Sequence, residues 1–134
     1  MIYLTLFSML FLHLIADYNL QGVLAQFKQK EWWKKNYPQP KYTHDWIIAL
    51  IEHSFMWSFL VCLPVFAYMG MTSDWETASY LFIYCIILNT GIHVTIDNEK
   101  ANNGSLSLFG DQFLHFVQIF TTWLFLLIKW LTFS

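Results

Sequence analysis

The sequence predicts an all-α integral membrane protein, a four-transmembrane-helix bundle forming one domain over residues 1–134. Three observations carry this reading. Of the 134 residues, 57% are hydrophobic and 20% aromatic, while only 12% are charged; a soluble chain is about one-quarter charged. Mean hydropathy is +0.43, too apolar for a soluble globule, a disordered chain or a disulfide-stapled secreted domain. The apolar residues also fall into four runs, each long enough at about 1.5 Å per residue to cross roughly 30 Å of hydrocarbon.

The first run, about 1–22, lacks a cationic leader and is interrupted by His13 and Asp17. It reads as a transmembrane helix rather than a secretion signal. Residues 26–41 form a strongly polar loop with Lys28, Lys30, Lys34, Lys35 and Lys41. Pro38 and Pro40 forbid continuous helix there, and Trp32, Trp33, Tyr37 and Tyr42 suit an interfacial belt. The second run, about 46–69, follows Thr43, His44 and Asp45, which are expected to cap its start. It contains Pro64, a kink candidate, and ends at Gly70. The third, about 77–97, holds Gly91, expected to allow close packing beside His93. A turn-rich segment with Asn102, Asn103 and Gly104 leads to the fourth, about 111–131.

Charge sets the expected orientation. Five of the seven lysines lie in the first loop and Lys100 in the third, while the loop at 72–76 has none. The positive-inside rule then puts loops one and three in the cytoplasm and both termini outside. Lys129 dissents, and is expected to snorkel to the outer interface. With no arginine and no basic stripe, nucleic-acid binding is excluded. Cys62 and Cys85 sit inside apolar runs and read as small packing residues.

Ionisable groups inside spans are costly, and therefore functional candidates. His13 and Asp17, His93 and Asp97, and Asp111 and His115 are each four apart, so each pair shares a helix face. Random placement of these residues gives under about one such pair. Under the expected topology all three pairs and His53 fall in the cytoplasmic half. Imidazole and carboxylate ligands suit one or two divalent ions, Zn foremost, then Mn or Fe. A buried hydrogen-bond ladder between helices is the simpler alternative.

Around these ligands, His53 is favoured over adjacent Glu52 as the residue facing the bundle centre, leaving Glu52 as a general base or an orienting partner. Gln21 and Gln112 can donate to ligands or substrate, or bond helices together. Lys100 can hold a substrate phosphate, although an interfacial anchor is its ordinary role.

The blocks His13-x-x-x-Asp17-Tyr18-x-Leu20-Gln21, His93-x-x-x-Asp97-x-x-Lys100 and Asp111-Gln112-x-x-His115 resemble the signature blocks of a family of small bacterial and phage integral membrane proteins catalogued as a domain of unknown function. The resemblance spans nearly the whole chain, with Asp17-Tyr18 where the family usually has Asp-Phe. It implies a four-helix membrane domain, more distantly similar to membrane-bound metal-dependent hydrolases.

The expectation from the sequence is a metal-dependent hydrolase in the plasma (bacterial inner) membrane, acting on a phosphoester of a lipid or lipid-linked substrate. A metal-ion or proton-coupled transporter is the alternative, and with four spans it would need a homo-oligomer. A structural or partner-binding membrane protein is the third reading. The apolar outer halves, such as Leu4 to Leu12 and Phe55 to Tyr68, favour a one-sided site over a through path.

Overall fold

The computed structural model describes residues 2–133, with side chains described as far as Ile128. Lys129, with its expected snorkelling role, lies outside the described side chains. The described residues form helices joined by turns and short loops, with no strand among them. Helix α1 (Ile2–Leu14) runs into a wide π turn, Ile15–Asn19. The short α2 (Leu24–Phe27) and α3 (Lys30–Asn36) follow, then a 3-10 turn at Pro40–Tyr42. Two long helices, α4 (Asp45–Thr72) and α5 (Trp75–Asn98), lead to a second π turn, Glu99–Asn103, and finally to α6 (Leu108–Phe133). Four of these segments are long and apolar enough to cross a membrane.

Each long helix buries one stripe and turns the rest outward, as helical periodicity requires. In α1 the buried stripe is Ile2, Thr5, Met9 and His13, while Tyr3, Phe7 and Phe11 are exposed. In α4 it passes through Leu50, His53, Trp57, Val61 and Val65, and in α5 through Ala78, Cys85, Asn89, His93 and Asp97. Asp111, His115, Ile119, Trp123 and Leu126 continue it on α6. Exposed Phe7, Ile87 and Phe113 suit hydrocarbon surroundings. Because lipid is as apolar as leucine, the helices are held by close packing and interhelical polar bonds rather than by escape from water.

Those bonds lie at several levels. Gln118 Nε2 donates to both the carbonyl and the side-chain oxygen of Asn89, at 2.8 and 2.9 Å, and Thr122 Oγ1 donates to Asn89 Oδ1 at 3.2 Å, locking α6 to α5. Nearer the start of α1, Trp123 Nε1 reaches the Ile2 carbonyl at 3.0 Å. Beyond the His/Asp residues the bundle therefore carries a further polar layer, at Asn89, Gln118 and Thr122, that the sequence reading did not single out.

Several local expectations are corrected. The first span does not continue as α-helix to residue 22: it widens at Ile15–Asn19 and ends where Gly22 adopts φ +47°, a backbone region that a side chain would strain. Gly104, at φ +66°, ends the second π turn in the same way. Helix α4 spans Pro64 as one continuous element, which is compatible with the kink expected there. Its first turn is not capped by side chains, because Thr43 Oγ1 turns back to the Pro40 carbonyl at 2.8 Å. Among the described residues nothing lies within 4 Å of where a Gly91 Cβ would stand, so the expected close packing at this glycine is not found within the chain.

The α4–α5 hairpin turns at Ser73 and Asp74. Asp74 Oδ1 accepts from the Thr77 backbone N–H at 2.7 Å, and this bond holds its carboxyl below the ordinary carboxylate range. A lowered carboxyl contributes stability above the unfolded value of about 3.9 and loses it as pH falls through the folded value. Asp74→Ala is expected to lower the detergent melting temperature at pH 7, Asp74→Asn to retain most of it, and the alanine deficit to shrink below about pH 4. An alanine deficit unchanged by pH would show that the carboxylate bond is not its source.

Candidate metal centre

The polar stripes meet at one end of the bundle, the end bearing the first and third loops. His13 closes α1, and Asp17 follows in the first π turn. His53 lies two turns into α4. His93 and Asp97 occupy the last turns of α5, and Asp111 and His115 the first turns of α6. Widened π turns often accompany functional sites. Here one displaces Asp17 from the line of α1, and the other begins two residues after Asp97.

Asp97, 2% exposed, is the hub. Its Oδ2 lies 3.3 Å from His53 Nε2, and its Oδ1 lies 3.4 Å from His115 Nε2 and 3.7 Å from His93 Nε2. His53 Nε2 is also 3.3 Å from His93 Nε2 and 3.5 Å from Asp17 Oδ1. His115 Nε2 is 3.4 Å from Asp111 Oδ1. Two overlapping groups, Asp17 with His53 and His93, and His93 with Asp97 and His115, each bring three ligand atoms close enough to share an ion.

The spacing is informative. Ligands about 2.1 Å from a common ion stand about 3.0 Å apart at octahedral corners and about 3.4 Å apart at tetrahedral ones. The separations here fall at or just beyond those edges, and are long for direct hydrogen bonds. Among the described residues, Asp17 Oδ1, Asp111 Oδ1 and His115 Nε2 are buried without a hydrogen-bond partner, a costly arrangement unless something else meets them. The two oxygens of Asp97 face different imidazoles, Oδ2 toward His53 and also held by Lys28, Oδ1 toward His93 and His115. Donor type and spacing together fit one or two divalent cations.

His13 is placed differently. Trp57 Nε1, which can only donate, meets His13 Nδ1 at 2.9 Å, so that nitrogen is an acceptor. His13 Nε2 then donates to Gln112 Oε1 at 3.1 Å. Both ring nitrogens are engaged, so His13 supports the cluster rather than offering it a free lone pair. Gln112 carries that support onward, its Nε2 donating to Asp17 Oδ2 and Asp111 Oδ2, each at 3.1 Å. Gln21 Nε2 reaches His53 Nε2 at 3.2 Å.

Ring stacking positions the remaining imidazoles. His93 lies between Trp57, with centroids 4.3 Å apart, and His115, at 4.2 Å. The Nδ1 atoms of His53, His93 and His115 are buried without partners, so packing rather than hydrogen bonding at Nδ1 fixes these rings.

Two lysines approach the carboxylates. Lys100 Nζ donates to Asp111 Oδ2 at 2.6 Å, with a third of its side chain exposed. Lys28 is 6% exposed and donates to Asp97 Oδ2 at 2.5 Å. Asn102 clips that segment in place, donating from Nδ2 to the Lys28 carbonyl and accepting from the Lys30 backbone N–H. With neutral imidazoles the three aspartates and two lysines leave one net negative charge, which a divalent cation would reverse.

Glu52 is not brought to the group: it is exposed on the outer face of α4. The structure adds Lys28, Trp57 and Asn102, which the sequence reading did not assign to the site. Trp57 had a signal, standing four residues after His53 on the same face. Lys28 had none, being one of five lysines in a polar loop. Comparisons with protein-family models, curated proteins and solved structures found no match for this chain.

Breaking a buried ion pair from one side typically costs about 3–5 kcal/mol, because the remaining charge is stranded. Lys28→Met is therefore expected to lower the melting temperature of metal-free protein strongly. Lys28→Met combined with Asp97→Asn should cost clearly less than the sum of the two single changes in thermal unfolding. Strict additivity would show the two groups to be uncoupled.

Proposed function

We propose that this chain is a metal-dependent hydrolase embedded in the plasma (bacterial inner) membrane, acting on a phosphoester of a lipid or lipid-linked substrate. The observation that carries the reading is the convergence of His53, His93, His115, Asp17, Asp97 and Asp111 at separations suited to ion coordination, with several of their atoms buried and unpaired. The resemblance of the His13, His93 and Asp111 blocks to a small bacterial and phage membrane family supports a site at these residues more than a particular reaction.

In this reading those six residues hold one or two ions, with Zn favoured by the mixed imidazole and carboxylate set. The bound ion supplies Lewis acidity and makes water a usable nucleophile near neutral pH. Hydrolysis forms a new bond from water oxygen to phosphorus and breaks the bond to the alcohol oxygen. One water proton would pass to a carboxylate, and that carboxyl would return it to the departing alkoxide, which leaves as the alcohol. Asp17 suits the proton acceptor because no lysine pairs with it, and with Glu52 turned outward an aspartate takes that role. His13 and Gln112 hold Asp17 in place. Lys100, the more exposed of the two lysines, is suited to the phosphoryl charge. The positive-inside distribution of lysines puts this end of the bundle at the cytoplasmic surface, with both termini outside.

A transporter remains the second reading, and the Asn89, Gln118 and Thr122 layer favours it by extending polarity beyond the cluster. Farther from the cluster than that layer, Val65 and Leu126 are buried apolar side chains.

Elemental analysis of detergent-purified protein tests the proposal. Stoichiometric metal is expected in wild type, with at least about tenfold less in folded Asp97→Asn and His115→Ala, and chelation should abolish phosphoester turnover. A well-folded wild type that takes up neither Zn nor Mn would sink the hydrolase reading.

A further inference from the structure

The first loop carries a feature that the proposed chemistry does not use. A cavity of about 310 Å³ opens between α3 and the start of α4, within the about 300–1,000 Å³ span of small-molecule sites. Its walls are Trp33, Tyr37, Tyr42 and Trp46, and Lys30 and Lys34 line it as well. The rings brace one another instead of dispersing along the surface. Tyr37 lies 5.6 Å from Trp33 and 5.3 Å from Tyr42, and Tyr42 stacks on Trp33 at 6.3 Å. Trp33 is tethered through Nε1 to the Phe27 carbonyl at 2.6 Å, and Pro40 starts the 3-10 turn that presents Tyr42.

Charge identifies the occupant. Lys30 Nζ sits 4.3 Å above the centre of the Trp46 ring and forms no ion pair among the described residues. An ammonium placed over an indole is oriented without being neutralised. Over residues 30–46 four lysines, Lys30, Lys34, Lys35 and Lys41, stand against two acids, Glu31 and Asp45. Lys34 Nζ donates to Glu31 Oε1 at 2.5 Å in a solvent-exposed pair, which leaves an excess of positive charge at this surface. Basic segments beside a membrane attract anionic lipid headgroups, each cation adding a comparable increment. Aromatic rings also suit the boundary between headgroup and acyl chain.

We infer that this cavity is a headgroup site for an anionic phospholipid of the bilayer, with Lys30 and Lys34 meeting the phosphate and the aromatic wall packing on the glycerol backbone. The site is tied to the His/Asp cluster by the chain itself. Lys30 is two residues from Lys28, at most about 7 Å of extended backbone, and Asn102 bonds to both. A lipid held here has its phosphate on the segment that delivers Lys28 to Asp97. In its use of the lipid as substrate this inference rests on the hydrolase reading, but binding itself requires no metal.

The test is native mass spectrometry of the full-length protein titrated with dioleoyl phosphatidylglycerol or dioleoyl phosphatidylcholine, with metal content measured on the same sample. Phosphatidylglycerol is expected to bind wild type preferentially. Lys30→Ala with Lys34→Ala should weaken binding at least about tenfold. Lys35→Ala with Lys41→Ala removes the same charge from residues outside the cavity lining and should change binding less than about threefold. Trp46→Leu should weaken binding with all lysines retained, and His115→Ala should leave it intact. Equal binding of phosphatidylcholine, displacement by millimolar inorganic phosphate, or equal losses in the two lysine pairs would each overturn the headgroup site. Wild type that lacks metal yet binds phosphatidylglycerol selectively would sink the hydrolase and leave the headgroup site standing.

Discussion

Asp97 imposes the constraint on which the cluster depends. A carboxylate that is 2% exposed inside an apolar bundle survives as an ion only if positive or polar groups surround it. Here they come from every direction: Lys28 from the first loop, His53 from α4, His93 one turn back on α5 and His115 from α6. Satisfying one buried charge therefore fixes the relative placement of three long helices and a loop. In lipid, where association of apolar surfaces contributes little, such a hub is a strong source of specificity.

The neighbouring carboxylates extend the same logic. Asp111 is met by Lys100, while Asp17 has Gln112 in place of a lysine. The result is graded compensation rather than full neutralisation, and the least compensated atoms lie where the imidazoles converge. A network built only to lock helices would be expected to close its hydrogen bonds. The Asn89, Gln118 and Thr122 layer closes more of its bonds, with Asn89 Oδ1 receiving two donors, although Gln118 Oε1 is also buried without a partner among the described residues. The His/Asp cluster instead leaves lone pairs facing one another.

The first loop is more than a connector. Its backbone is held by Asn102 of the third loop, one of its lysines is drawn inside, and its rings build a cavity beside the bundle. The two polar loops thus form one surface over the cluster. The counter-charge to Asp97 and the aromatic cavity thus lie in the same short stretch, residues 28–46.

Composition and periodicity determined the all-helical class, the four long apolar segments and the i,i+4 pairing of His93 with Asp97 and Asp111 with His115, because these follow from hydropathy and from 3.6 residues per turn. His53 was also readable as the inward residue, since adjacent Glu52 cannot share its face. Tertiary structure alone decided the rest. It showed that His13 spends both nitrogens on Trp57 and Gln112, that Glu52 faces outward, that nothing among the described residues packs where a Gly91 Cβ would stand and that α4 spans Pro64 as one element. It also selected Lys28 from five lysines that look alike in sequence. The physical reason is common to these cases: spacing along a chain specifies which side chains share a face, whereas the partner they meet is set by the rotation and closeness of other helices.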